Sequence, residues 1–131
     1  MAYLKPPFFV RNVFNPIAMA TGLGGAETLL VKGRRTGTLQ RLPVIPVEHG
    51  GGRYVVSTRG ESDWVKNLRA AGGGEIRRKR GATRFNAVEL PVEERSPVIA
   101  AYRAKAGKAV EAYWKQLPEP ADHPVFRIDP A

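Results

Sequence analysis

Residues 32–41, KGRRTGTLQR, constrain the fold more than any other stretch of this chain. They carry four cationic side chains (Lys32, Arg34, Arg35, Arg41), two glycines, two threonines and no acid. The run ending in Leu29-Leu30-Val31 leads in and Leu42-Pro43-Val44-Ile45 leads out. Both flanks read as strands, with the glycines punctuating a loop between them. Gly33 and Gly37 permit positive φ, which would let successive backbone N–H groups curl around an anion. Arg34 and Arg35 add planar guanidinium forks suited to phosphate or carboxylate oxygens. A solvated surface turn is the competing reading. A Walker loop is not, because the spacing differs and no helix signature follows.

Charge placement sharpens this picture. The net charge is +9, and residues 32–84 hold 13 bases against 4 acids, so the excess lies in that middle segment. Its field draws anions. With no cysteine, disulfides, thiolate metal sites and cysteine nucleophiles are excluded. The two histidines, His49 and His123, make no metal site alone, and both sit beside turn residues, which predicts surface positions. A chain of 131 residues with 43% hydrophobic content is expected to be a single domain with a real core. No run of 18 apolar residues exists, so no transmembrane helix is expected, and the chain reads as cytoplasmic. Residues 1–25 read as irregular, with one short helix near 16–21. Their interrupted apolar residues suit covering the core or a peripheral membrane contact.

Along the rest of the chain, strands are expected at 27–32, 41–47 and 53–59. A short helix follows, with Ser62 as N-cap, Asp63 in its first turn, and Trp64, Val65 and Leu68 on one face. Gly72-Gly73-Gly74 ends it. Strands at 75–79 and 83–90 form a basic hairpin around Arg80-Gly81. Ser96-Pro97 starts a helix to about residue 106, and a second piece reaches Gln116, with Tyr102, Val110, Tyr113 and Trp114 available to pack. A last strand spans 125–129. Six strands with short helices make a mainly β chain, a small barrel with helical insertions.

Three separated motifs, GRRTGTLQRLPV, GGRYVVSTRG and DWVKNLRAAG, occur in this order. Together they resemble the deazaflavin (coenzyme F-420)-dependent nitroreductase and quinone reductase family. The closing HPVFRIDP is similar to that family's terminal strand. The resemblance implies a split β-barrel related to flavin-nucleotide-binding folds. It also implies a coenzyme carrying a phosphate and an oligoglutamate tail. By resemblance, Arg34, Arg35 and Thr36 hold the tail end, and Arg41, Leu42, Pro43 and Val44 line the coenzyme. Val56, Ser57, Thr58 and Arg59 face the deazaflavin ring, and the short helix adds Asp63, Trp64, Val65 and Asn67. Tyr113 is the candidate facing the substrate. The residues alone leave other roles open: Trp64 as a core plug, Asn67 in solvent, Thr58 as an ordinary strand residue. Two departures stand out: Gly60-Glu61-Ser62 is a short loop, and the proline of the second strand is displaced.

The implied activity is hydride transfer from reduced deazaflavin to a quinone, nitroaromatic or enone, with the coenzyme carrying the difficult chemistry. No metal is expected. FMN is the alternative cofactor, although it lacks the tail that would account for so large a basic excess. A non-catalytic basic barrel binding nucleic acid or lipid is the rival, supported by Arg77, Arg78, Lys79, Arg80 and Arg84. Against nucleic acid, Phe85 is the only nearby aromatic for base stacking.

Overall fold

The computed structural model describes residues 26–78 and 81–131. The expected irregular segment 1–25, its short helix and Arg80 of the hairpin turn lie outside the described residues. Among the described residues seven strands are present: β1 (Glu27–Lys32), β2 (Leu39–Val44), β3 (Val47–His49), β4 (Gly52–Val56), β5 (Gly73–Arg78), β6 (Gly81–Glu89) and β7 (Val125–Pro130). Helices α1 (Asp63–Ala71), α2 (Ser96–Ala106) and α3 (Glu111–Gln116) join them, with a 3-10 turn at Gly107–Val110 between the last two. The strands form one antiparallel sheet in the order β2-β1-β5-β6-β7-β4-β3.

This sheet curls. Glu27 on β1 pairs with Arg53 on β4, although β5, β6 and β7 lie between those strands in the sheet. Its other carboxylate oxygen lies 3.3 Å from Arg78 Nε on β5. The concave face gathers Leu29, Val31, Val55, Ile76, Phe85, Phe126 and Ile128 around Trp64, Val65 and Leu68 of α1. Helix α1 therefore sits inside the curl. The Trp64 ring lies 6.2 Å from that of Phe126. Each such large apolar side chain removed from water contributes about 1.5–3 kcal/mol. A second core forms on the other face, where Val47, Val56 and Val125 meet Val98, Ile99 and Tyr102 of α2 together with Val110 and Trp114. The aromatic residues expected to pack on the late helices do so.

Several expected boundaries need correction. Six strands become seven because the segment 41–47 does not run through: β2 ends at Val44, and Val47–His49 pairs separately with β4. Pro46, lacking an N–H to donate, stands in the break. Strand 53–59 stops at Val56, beyond which Ser57 turns away with its N–H on Pro124 O (2.9 Å). Only Gly72 ends α1, with φ +74° and its N–H on Leu68 O (2.8 Å). Gly73 and Gly74 belong to β5. They are needed there for close approach, since a Cβ on Gly73 would fall 2.2 Å from Phe85 O and one on Gly74 2.5 Å from Leu30 O. Gly81, expected in the hairpin turn, opens β6.

These two glycine roles predict different costs. Gly72→Ala meets open space and faces only the left-handed backbone penalty, about 1–2 kcal/mol. Gly73→Ala must push apart two paired strands and should cost about 3 kcal/mol, the upper range for overpacking. Urea midpoints of the two variants measure this, and equal losses would disprove the close-approach argument.

Candidate functional site

The basic loop leaves β1 and is closed internally. Gly33 donates to Thr38 O (2.9 Å), Gly37 to Gly33 O (3.0 Å) and the Thr38 N–H to Thr36 Oγ1 (3.2 Å). Gly37 takes φ +77° as expected. Gly33 does not use positive φ; it is required because a Cβ there would approach Thr38 O to 2.9 Å. The open row of N–H donors is thus corrected, since the amides of Gly33, Arg34, Gly37 and Thr38 already have protein partners.

What holds the loop in place is Asn67 on α1. Its buried Oδ1 accepts from the Arg34 backbone N–H (3.0 Å) and from Arg34 Nη1 (2.7 Å). Its Nδ2 donates to Gln40 Oε1 on β2 (2.8 Å). Arg34 Nη2 also lies 3.5 Å from Asp63 Oδ1. Arg34 is therefore braced against the first turns of α1, while Arg35, Thr36 and Arg41 are exposed. Among the described residues Arg35 and Arg41 enter no ion pair.

The remaining expected site residues divide between faces. Leu42 and Val44 pack against the inner core, as strand alternation requires, and Arg41 stands on the opposite face. Trp64 and Val65 are buried in the inner core. Val56 joins the second core. Ser57 is buried and its hydroxyl donates to Gly60 O (2.6 Å), closing a turn in which Gly60 has φ +83°. Thr58 and Arg59 follow at that turn, half-buried. Tyr113 is half-buried beside the second core. Burial pushes the Tyr102 phenol well above its ordinary range; the Tyr113 phenol adds to this and Arg59 opposes it. Arg59 and Tyr113 thus each lie within electrostatic reach of Tyr102, and Tyr102 stays protonated.

The roles of Glu61, Arg69, Glu89, Arg95 and His123 escape sequence reasoning. The short loop 60–62 is fixed through buried Glu61, which accepts from Arg69 Nη1 (2.9 Å) and Nη2 (3.2 Å). Arg69 also donates to Glu89 (2.7 and 2.8 Å), and Glu89 in turn meets buried Arg95 (3.3 Å). The hydrogen bond from Arg69 holds the Glu61 carboxyl below its usual 4.5, against the opposing effect of burial. The one available signal was an acid in the short loop with Arg69 two helical turns further on. Ser62, expected as a capping side chain, makes no cap bond, and its buried Oγ has no partner. His123, expected at the surface, is fully buried: its Nδ1 lies 2.8 Å from Ser57 O and its Nε2 2.6 Å from Leu117 O. A neighbouring Pro124 signalled a turn, but nothing local revealed that α3 would fold over it.

Among the described residues no helix is long and apolar enough to cross a membrane, and no cluster of His, Asp and Glu could hold a metal ion. A family model described as F-420H(2)-dependent quinone reductase matches residues 12–118. No curated protein matches the chain. Among solved structures, one described as a domain-swapped dimer is similar, with 21% identity, a TM-score of 0.61 and 79% of each chain covered. A candidate 5-nitroimidazole antibiotic resistance protein from Bacteroides thetaiotaomicron shares 14% identity at a TM-score of 0.59, covering 80% of this chain and 72% of that one. An FAD-binding protein from Mesorhizobium loti shares 13% identity at 0.54, covering 81% and 80%. The fold is the split β-barrel of the flavin- and deazaflavin-binding proteins.

Two predictions come from this geometry. Asn67→Leu removes three hydrogen bonds at a buried amide; a loss of about 1–3 kcal/mol is expected, with faster hydrogen exchange at the Arg34 amide. Unchanged exchange there would show that Asn67 does not hold the loop. Because the Glu61 pKa is depressed on folding, its contribution is present above its unfolded value of 4.5 and is lost as pH falls through the lower folded value. Glu61→Gln should therefore flatten the acid limb of stability against pH below about 4.5, measured by denaturant unfolding at each pH. An unaltered limb would remove that assignment.

Proposed function

From the premise that this chain belongs to the F-420H(2)-dependent quinone reductase family, we propose that it passes hydride from reduced deazaflavin to an electron-poor quinone, nitroaromatic or enone. The observation that carries this reading is the braced loop. Asn67 and Asp63 immobilise Arg34, so the loop presents Arg35, Arg41 and Thr36 outward from a fixed base. Preset cationic donors of this kind suit a ligand bearing phosphate and several carboxylates.

The residues fit such a coenzyme. Exposed guanidinium groups and the Thr36 hydroxyl match anionic oxygens, and Ser62 Oγ at the start of α1 is a buried polar atom still lacking a partner. When bound, the coenzyme supplies the hydride. The chain binds and orients: Arg35, Thr36 and Arg41 grip the anionic end, while the turn holding Ser57, Thr58 and Arg59 borders the ring. Leu42, Val44, Trp64 and Val65 back β2 and α1 from the inner core, and Val56 anchors the turn in the second core. Half-buried Arg59 supplies positive potential, and the half-buried Tyr113 hydroxyl is the candidate donor, toward an acceptor oxygen on which charge builds. The Ser57 hydroxyl is committed to Gly60 O, so its part here is to shape the turn. FMN is a weaker candidate, since it would leave much of the basic rim unmatched.

Titrating the protein with oxidised coenzyme F-420, with FMN alongside, tests the reading. Saturable binding far tighter than that of FMN is expected, with Arg35→Ala weakening it by about 1.5–3 kcal/mol, the range for a charged hydrogen bond. Failure to bind either cofactor, with DNA or anionic vesicles bound instead, would replace this function by the basic-barrel reading.

A further inference from the structure

His123 is fully buried and belongs to neither the loop nor the expected ligand-facing set. Its ring stacks on Trp114 with centroids 4.0 Å apart and planes 9° from parallel. Both nitrogens face carbonyl oxygens: Nδ1 lies 2.8 Å from Ser57 O and Nε2 2.6 Å from Leu117 O. Carbonyls only accept, so the ring holds an oxygen through its N–H, and the tautomer decides which of the two it is. The Arg103 guanidinium stacks on the same indole, 5.2 Å from its centroid.

The two carbonyls belong to two walls. Ser57 begins the turn that carries Thr58 and Arg59. Its N–H is held by Pro124 O and its hydroxyl by Gly60 O, so residues 123–124 and Gly60 fix its N–H, carbonyl and hydroxyl. Leu117 is the C-cap of α3, the helix that carries Tyr113, and its N–H bonds to Tyr113 O (2.8 Å).

We propose that His123 is a positioning residue whose ring, stacked on Trp114 and wedged between Ser57 O and Leu117 O, sets the spacing between the turn at residues 57–60 and the Tyr113 helix. Under the activity proposed above, on which this inference rests, those are the walls bordering the deazaflavin ring and the acceptor. No atom of His123 touches the reacting groups. Its effect is on alignment, where hydride transfer tolerates little: a misplacement of about 1 Å can cost about a hundredfold in rate.

The test compares wild type, His123→Phe and His123→Gln. Phenylalanine keeps a ring on Trp114 and removes both nitrogens, whereas glutamine restores a polar group. Three quantities are measured: coenzyme affinity, single-turnover hydride transfer to a soluble naphthoquinone, and NMR spectra. In His123→Phe, the amides of Ser57, Gly60, Tyr113 and Leu117 should all shift. Coenzyme affinity should stay within about threefold while hydride transfer falls about tenfold or more, with His123→Gln in between. A lower Tm with hydride transfer per bound coenzyme unchanged would reduce His123 to a fold pin and overturn the proposal. If wild type binds no coenzyme, the activity reading falls and the NMR comparison decides. Shifts on only one wall would then overturn it. Should His123→Phe not fold, His123→Gln decides by the same criteria.

Discussion

Everything here is arranged around the burial of one face of α1 inside the curled sheet. An antiparallel sheet of seven strands has an inner face that must meet something apolar. Trp64, Val65 and Leu68 supply it, and the pair of Glu27 and Arg53 draws β1 and β4 together around them. The same nine-residue helix then fixes what lies at its ends. Asp63 and Asn67 hold the basic loop; Glu61 and Arg69 hold the short entry loop; Gly72 hands the chain directly to β5. A change that loosened α1 would loosen the core and the candidate site together.

The scarcity of acids in the middle of the chain acquires a structural meaning from these pairings. Glu61, Asp63 and Glu75 each meet an arginine. Glu61 and Asp63 hold parts of the site in place, which leaves Arg35 and Arg41 to project into solvent. The pair of Asp63 and Arg34 is solvent-exposed on its acid side and contributes little as an ion pair alone. Its effect lies in geometry, with buried Asn67 supplying the firmer hold.

Much of this was legible in the sequence. Apolar runs between glycine-rich turns located β1, and the Ser-Asp-Trp start and the leucine on the same face located α1, because both depend on local periodicity. The glycines and arginines between two apolar runs located the loop, and the family resemblance assigned it a coenzyme. What escaped was set by tertiary contact. Gly73 and Gly74 read as a helix stop, yet two neighbouring strands demand their missing side chains. Asn67 was singled out, but its partners Arg34 and Gln40 are 33 and 27 residues away, on elements whose packing no local pattern specifies. His123 looked like a surface turn residue because its partner Ser57 lies 66 residues earlier.

The chain's two tryptophans stand in separate cores with contrasting neighbours. Trp64 faces Phe126 in the inner core, whereas Trp114 has both a guanidinium and a stacked imidazole on its ring in the outer one. A stacked imidazole can quench an indole, and a hydrocarbon neighbour does not. The intrinsic emission of the folded protein is therefore expected to come mainly from the helix within the barrel. Loss of the outer layer alone would brighten the protein and shift its emission to the red, giving an optical distinction between peeling of the late helices and collapse of the barrel itself.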